Sequence, residues 1–141
     1  MEPLSLEGMP DEALLLVDTA PIIHTLERHP TFGPYFQPLF DAHAAGKLRF
    51  AVTTVTVAEV LTGPFKARKN DLAWRYRMVL ESWRVIPLDV DIAESAARFR
   101  AETGLRLPDA IQLASAVAIK AFALVTHDRD FSAVRWFRII R

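Results

Sequence analysis

The sequence predicts an α/β protein: a single domain with a mostly parallel five-stranded sheet sandwiched between helices. Three observations predict the architecture. The chain has 141 residues, the length of one domain and enough to bury a sizeable core. Short apolar runs alternate with longer stretches of helical periodicity rather than with hairpin turns, which implies parallel pairing. Hydrophobic residues make up 51% and charged residues 24%, an ordinary globular balance that fits neither disorder nor a coiled coil.

Met1 to Glu12 reads as a polar leader, with Leu4, Leu6 and Met9 available to dock, and residues 13–141 as the folded domain. Leu14 to Val17 is a continuous apolar run, the pattern of a strand buried on both faces. Asp18 ends it, and Thr19 with Pro21 opens a short helix. Phe36, Leu39, Phe40 and His43 recur at helical spacing up to Gly46. Arg49 to Thr53 is the second strand. Val55, Ala58 and Leu61 mark a short helix expected to close at Gly63-Pro64, and Leu72, Tyr76, Val79, Leu80 and Trp83 share one face of a longer one. Val85 to Leu88 is a weak third strand, suited by Pro87 to an edge. Asp91 is expected to cap the next helix, with Glu94 completing a capping box and Gly104 ending it. Pro108 starts a helix from about Asp109 to Ala121 that is apolar on nearly every side. Ala123 to Thr126 and Phe137 to Ile140 complete the strands.

Charge and cysteine content exclude several classes. Seventeen basic and seventeen acidic residues leave no net charge, so nucleic-acid binding must come from a local patch. With no cysteine, a disulfide scaffold, a thiolate metal site and a cysteine nucleophile are all excluded. The opening residues lack the basic-then-apolar order of a secretion signal, and Gln112, Ser115 and Lys120 interrupt the longest apolar stretch. A cytoplasmic protein that spans no membrane is the expectation.

In a parallel sheet, ligands bind beyond the carboxyl ends of the strands, and that is where the acids fall. Asp18 stops the first strand, while Asp128 and Asp130 follow the fourth. Glu59 breaks an apolar helix segment, and Asp109 begins the most apolar helix. Each has a plain structural reading: Asp109 as a helix cap, Asp128 and Asp130 as turn residues, Glu59 as a surface acid. Asp18 resists this most, because an acid closing a buried run is costly to desolvate unless paired. Together the acids are expected to converge without a cationic partner of their own. Such a cluster repels itself unless a cation sits in it. All-oxygen ligands select hard ions, so Mg²⁺ or Mn²⁺ is the expected cofactor.

The ordered segments LLLVDTA, TVAEVLTGP, LRLPDAIQLASA and LVTHDRDF resemble those of the PIN-domain ribonucleases, and most closely the VapC-type toxins of bacterial toxin–antitoxin pairs. The resemblance runs from about Leu14 to Arg141. It implies a Mg²⁺- or Mn²⁺-dependent endoribonuclease that hydrolyses RNA phosphodiesters with metal-activated water. On that likeness Asp18, Glu59, Asp109 and Asp128 are the catalytic acids and metal ligands, and Asp130 joins them or shares the fourth role. Thr19 and Thr126 match small polar residues that support the acids. Ala20 departs from the serine or asparagine usual there, so one supporting hydrogen bond is either missing or supplied from elsewhere. The resemblance also implies an RNA substrate, a cognate antitoxin and a homodimer.

Lys66, Arg68, Lys69, Arg75 and Arg77 crowd twelve positions that hold one acid, Asp71. Lys66, Arg68 and Lys69 are read as RNA-binding, whereas Arg75 and Arg77 read equally well as a solvated helix face. Trp74 and Trp83 fit packing or an interface better than base stacking. Phe32, Tyr35, Phe36 and Phe40 offer an antitoxin docking surface, but most read as core. His127 stays outside the catalytic set as a turn residue. His24 and His29, five apart, do not share a helix face.

Three other readings fare worse. A haloacid-dehalogenase-type phosphatase needs a second aspartate where Ala20 stands. A phosphoryl-accepting receiver domain needs paired acids near the end of the first strand and a lysine after the last acid-bearing strand, and has neither. A non-catalytic PIN-like binding module leaves the full acidic set unexplained.

Overall fold

The computed structural model describes residues 1–141. Its five strands are β1 (Ala13–Val17), β2 (Leu48–Thr53), β3 (Arg84–Ile86), β4 (Ala123–Val125) and β5 (Ile139–Ile140). All pair in parallel in the order β3-β2-β1-β4-β5, so the sheet is wholly rather than mostly parallel. The six helices are α1 (Thr19–Leu26), α2 (Phe32–Ala44), α3 (Thr54–Lys66), α4 (Asn70–Glu81), α5 (Val90–Thr103) and α6 (Leu107–Ala118).

Alternation along the central strand builds two cores. Leu15 and Val17 face one side with Ile22, Phe36, Leu39, Phe50 and Leu80, beneath α1, α2 and α4. Leu16 faces the other with Ile111, Leu113, Ala114 and Phe131, beneath α5 and α6. Leu15, Leu16 and Val17 are wholly buried, and a Leu16→Ala change in such a site costs about 2–5 kcal/mol. The leader lies on the first of these cores: Leu4, Leu6 and Met9 pack against it, and the Leu4 amide donates to the Tyr35 carbonyl.

Four helix boundaries differ from expectation, the simplest being α4, which ends at Glu81 and leaves Trp83 beyond it. The Gly63-Pro64 pair does not close α3, which continues to Lys66. Proline removes one donor near the helix end, and burying Pro64 one turn beyond buried Val60 offsets that loss. Asp89, not Asp91, caps α5 by accepting from the Ile92 amide at 2.8 Å, and Glu94 pairs with Arg98 instead of completing a box. Gly104, at φ 73°, ends that helix as expected. Helix α6 starts at Leu107 and stops at Ala118, because Lys120 adopts a left-handed φ of 54° and turns the chain into β4. Asp109 therefore sits in the first turn, not at the cap, which is Arg106.

The strand order places the reversal point at β1 and β4, with β2-β3 to one side and β5 to the other. Adjacent parallel strands whose crossovers depart in opposite directions leave a crevice at their carboxyl ends. Asp18 follows β1 and Thr126 follows β4, so both stand at its mouth.

Candidate active site

Asp18, Glu59, Asp109 and Asp128 line one pocket of about 260 Å³, together with Thr19, Ala20, Ile23, Arg106 and Pro108. A larger cavity of about 580 Å³ lies between the leader and α2, where its two acids, Asp11 and Asp41, stand with Lys47. Volume favours that cavity, but convergent polar chemistry favours the acidic one.

Asp18 is 8% exposed and accepts three hydrogen bonds. Oδ1 takes the Thr19 amide and Gln112 Nε2, each at 2.8 Å, and Oδ2 takes the Thr126 hydroxyl at 2.8 Å. These donors supply the support that Ala20 cannot. Thr126 is fully buried and also accepts from the Asp128 amide at 3.0 Å, tying the first acid to the fourth. The same Asp128 caps the short 3₁₀ turn Arg129–Ala133 through the Asp130 amide.

Glu59 is not on an apolar face. It stands on the exposed side of α3, and one oxygen accepts from the Thr19 hydroxyl at 2.9 Å. The donors behind it form a directed chain. Gln112 Nε2 donates to Thr56 at 2.7 Å, the Thr56 and Thr19 hydroxyls are 2.9 Å apart, and Thr19 donates to Glu59. The Gln112 carbonyl in turn accepts from Thr53 at 2.7 Å. Every polar atom of this buried amide is thus partnered, as a buried amide requires.

Asp109, 6% exposed, is the strained member. Burial pushes its carboxyl up to about 6, helped by the charges of Asp128 and Asp18 and a hydrogen bond shared with Asp128, and opposed by Arg106. Burial pushes Asp128 up as well. There the Asp130 amide, the shared bond with Asp109 and the Arg106 guanidinium outweigh it and hold the carboxyl below its ordinary value. Carboxylate oxygens of Asp109, Asp128 and Asp130 lie within 4.8 Å of one another. This all-oxygen set and the repulsion stored at Asp109 fit a hard divalent ion.

The expectation of an unpaired cluster fails at one residue. Arg106 reaches Asp128 at 3.0 Å, Asp109 at 3.4 Å and Asp130 at 3.9 Å. Its placement three residues before Asp109, one helical turn, was the available signal. Gln112 carried a signal too, as a polar residue in an otherwise apolar buried helix. Thr53 and Thr56 carried none.

Lys66, Arg68 and Lys69 are exposed and do not line the pocket. Lys66 lies seven residues beyond Glu59, about 10 Å farther along α3. The histidines do gather: the His24 ring is 5.0 Å from His29 and 5.3 Å from His127. Helical spacing did not apply, because α1 ends at Leu26 and the following turn folds His29 back, where its Nδ1 accepts from the Thr31 and Phe32 amides. His127 packs on Phe32 at 4.1 Å. Phe36 is buried, while Phe32, Tyr35 and Phe40 are half-buried against the same core. Trp83 is half-buried beside Phe50, and Trp74 is 63% exposed.

A parallel sheet with acids gathered beyond its central strands is the architecture of the PIN domain, whose family model matches residues 15–136. The chain belongs to the PIN domain family. Within it the chain is VapC-like: it is 34% identical over 93 residues to Ribonuclease VapC5 of Mycobacterium tuberculosis, a match covering 61% of this chain and 69% of that protein. A toxin–antitoxin complex from Klebsiella pneumoniae superposes with a TM-score of 0.72 at 28% identity, covering 90% of this chain and 96% of that one. The VapBC-5 toxin–antitoxin protein of M. tuberculosis superposes with a TM-score of 0.59 at 29% identity, covering 92% and 98%. No helix is long and apolar enough to cross a membrane.

Proposed function

We propose that this chain is a Mg²⁺- or Mn²⁺-dependent endoribonuclease and the toxin of a toxin–antitoxin pair. The observation that carries the reading is the convergence of Asp18, Glu59, Asp109 and Asp128 on one pocket, drawn from four separate elements of the chain. A likeness to Ribonuclease VapC5 and to solved toxin–antitoxin complexes supports the substrate class and the partner.

Asp18, Glu59, Asp109 and Asp128 would hold the ion, with Asp130 beside Asp109 and Asp128 as a further ligand. When bound, the ion supplies a Lewis acid that lowers the pKa of water and offsets charge on the phosphate. The chain's own groups do the positioning. Thr126, Gln112 and the Thr19 amide fix the Asp18 carboxylate, and the Thr19 hydroxyl fixes Glu59. No serine, cysteine or histidine is needed as nucleophile. Lys66, Arg68 and Lys69 would contact the RNA backbone away from the cut, where phosphate contacts set register. The protein acts as a homodimer in this reading, and the antitoxin covers the acidic mouth.

Cleavage of a small panel of structured RNAs with Mg²⁺, Mn²⁺ or EDTA tests the proposal, with Glu59→Gln as the control for contaminating nuclease. Divalent-dependent cutting by the wild type alone is expected. Cutting that survives EDTA, or persists in Glu59→Gln, would overturn it.

A further inference from the structure

We propose that Arg106 is the phosphate-binding residue of this site, stationed on the acid cluster until a divalent cation takes the carboxylates. The inference rests on the metal-dependent reading above.

Arg106 is the N-cap residue of α6, a position its donor-only side chain cannot cap. The side chain is 71% exposed and reaches across the pocket mouth to three carboxylates. Two of the oxygens it touches, Asp109 Oδ2 and Asp128 Oδ2, belong to acids assigned to the ion. A monovalent guanidinium and a divalent ion therefore compete for the same atoms, and the higher charge prevails. With most of its surface in water, the guanidinium is free to leave by rotating about its own stem.

Once displaced, the head group remains at the rim of the pocket. It is the one basic side chain lining that pocket, and Lys66, Arg68 and Lys69 do not reach it. A phosphodiester entering the acidic mouth needs a cation on the protein side as well as the bound ion. A planar guanidinium fork suits phosphate oxygens as well as it suits carboxylates. The same residue thus answers both states: it neutralises the acids when the ion is away and receives the substrate phosphate when the ion is bound. The alternative is a strut, with Arg106 needed to hold Asp109 and Asp128 in place for the ion.

The two roles predict opposite effects on metal affinity. Mn²⁺ binding is measured by calorimetry on the wild type, Arg106→Gln and Arg106→Lys, with circular dichroism confirming the fold. Binding of a short fluorescein-labelled single-stranded RNA is followed by anisotropy in Ca²⁺ across a salt series. Arg106→Gln is expected to bind Mn²⁺ roughly tenfold more tightly, as expected when one competing charge is removed, with Arg106→Lys in between. The same variant should bind RNA more weakly, with the slope of log affinity against log salt reduced by about 0.7, the value of one single-strand phosphate contact. Unchanged or weakened Mn²⁺ affinity in Arg106→Gln, or an unchanged salt slope, overturns the inference and leaves the metal-dependent reading standing. A wild type that binds no Mn²⁺ removes both.

Discussion

Gln112 Nε2 donates to Asp18 Oδ1 across 2.8 Å, although 94 positions separate the two residues in the chain. The same nitrogen reaches Thr56, and the amide oxygen accepts from Thr53. One fully buried side chain on α6 therefore joins the end of β1 to the start of α3, and through Thr56 and Thr19 it orders Glu59.

Gln112→Leu is expected to lower unfolding free energy by about 2–3 kcal/mol, because it takes the short acceptor from the buried Thr53 hydroxyl, which keeps only Thr56 as partner, and removes a donor from Asp18 and Thr56. The denaturant midpoint measures the loss. Nuclease activity should fall as well, since both acids lose their alignment. A variant as stable as the wild type would show that the network contributes little.

Thr126→Val keeps the shape of a fully buried side chain while deleting one donor and one acceptor. A loss of about 1–3 kcal/mol is expected, since Asp18 loses a partner and the Asp128 amide is left bare. Mn²⁺ affinity should drop with it, and thermal shift with and without the ion separates the two effects.

Asp109 should add stability to the metal-free protein as the pH falls from 7 toward 5. Its folded-state value of about 6 lies above its ordinary 3.8, so between these values that carboxyl binds more protons in the folded state than in the unfolded one, and its contribution is lost as the pH rises through 6. His24 and His43, lowered by burial, work in the opposite direction over this range, so the Asp109 part is read as the difference between the wild type and Asp109→Asn. The effect is on the order of 2 kcal/mol. Asp109→Asn should flatten this slope and raise metal-free stability near neutral pH. Asp18→Asn should flatten it only in part, by removing one of the charges that push Asp109 up, and should not raise stability, because the Asp18 carboxylate already accepts three hydrogen bonds. Chemical denaturation at several pH values in EDTA checks all three proteins, and a slope unchanged in Asp109→Asn would count against this origin.

Mg²⁺ or Mn²⁺ is expected to raise the melting temperature of the wild type through binding to the folded state alone. Asp18→Asn and Asp109→Asn should lose most of that shift. Equal shifts in all three proteins would place the ion elsewhere.

Replacing Lys66, Arg68 and Lys69 together by alanine should weaken RNA binding without changing metal affinity. The salt slope should fall by about 2, three single-strand contacts at about 0.7 each. An unchanged slope would return this cluster to the solvated surface.

The alternation of apolar runs and helical periods was enough to place five strands and the helices between them, because burial on a fixed period leaves its mark locally. Edges were harder. Asp89 rather than Asp91 became the cap, and Gly63-Pro64 failed to stop α3, since tertiary burial of Pro64 outweighed a local breaker. The four acids were legible as anomalies: a charge that ends or interrupts an apolar run stands out without coordinates.

Their partners were not. Composition and spacing determined that Asp18, Asp109 and Asp128 fall at strand ends and a helix start, while Glu59, which looked like a break in an apolar face, lies on the exposed side of α3. Only the folded arrangement decided that Arg106 bridges two of them and Asp130, that Gln112 and the threonines aim two of them, and that burial beside Asp128 and Asp18 strains Asp109 above the rest. Charge–charge energies and hydrogen bonds depend on distance in space, and residues far apart along a chain acquire that distance only when the sheet order brings β1 beside β4.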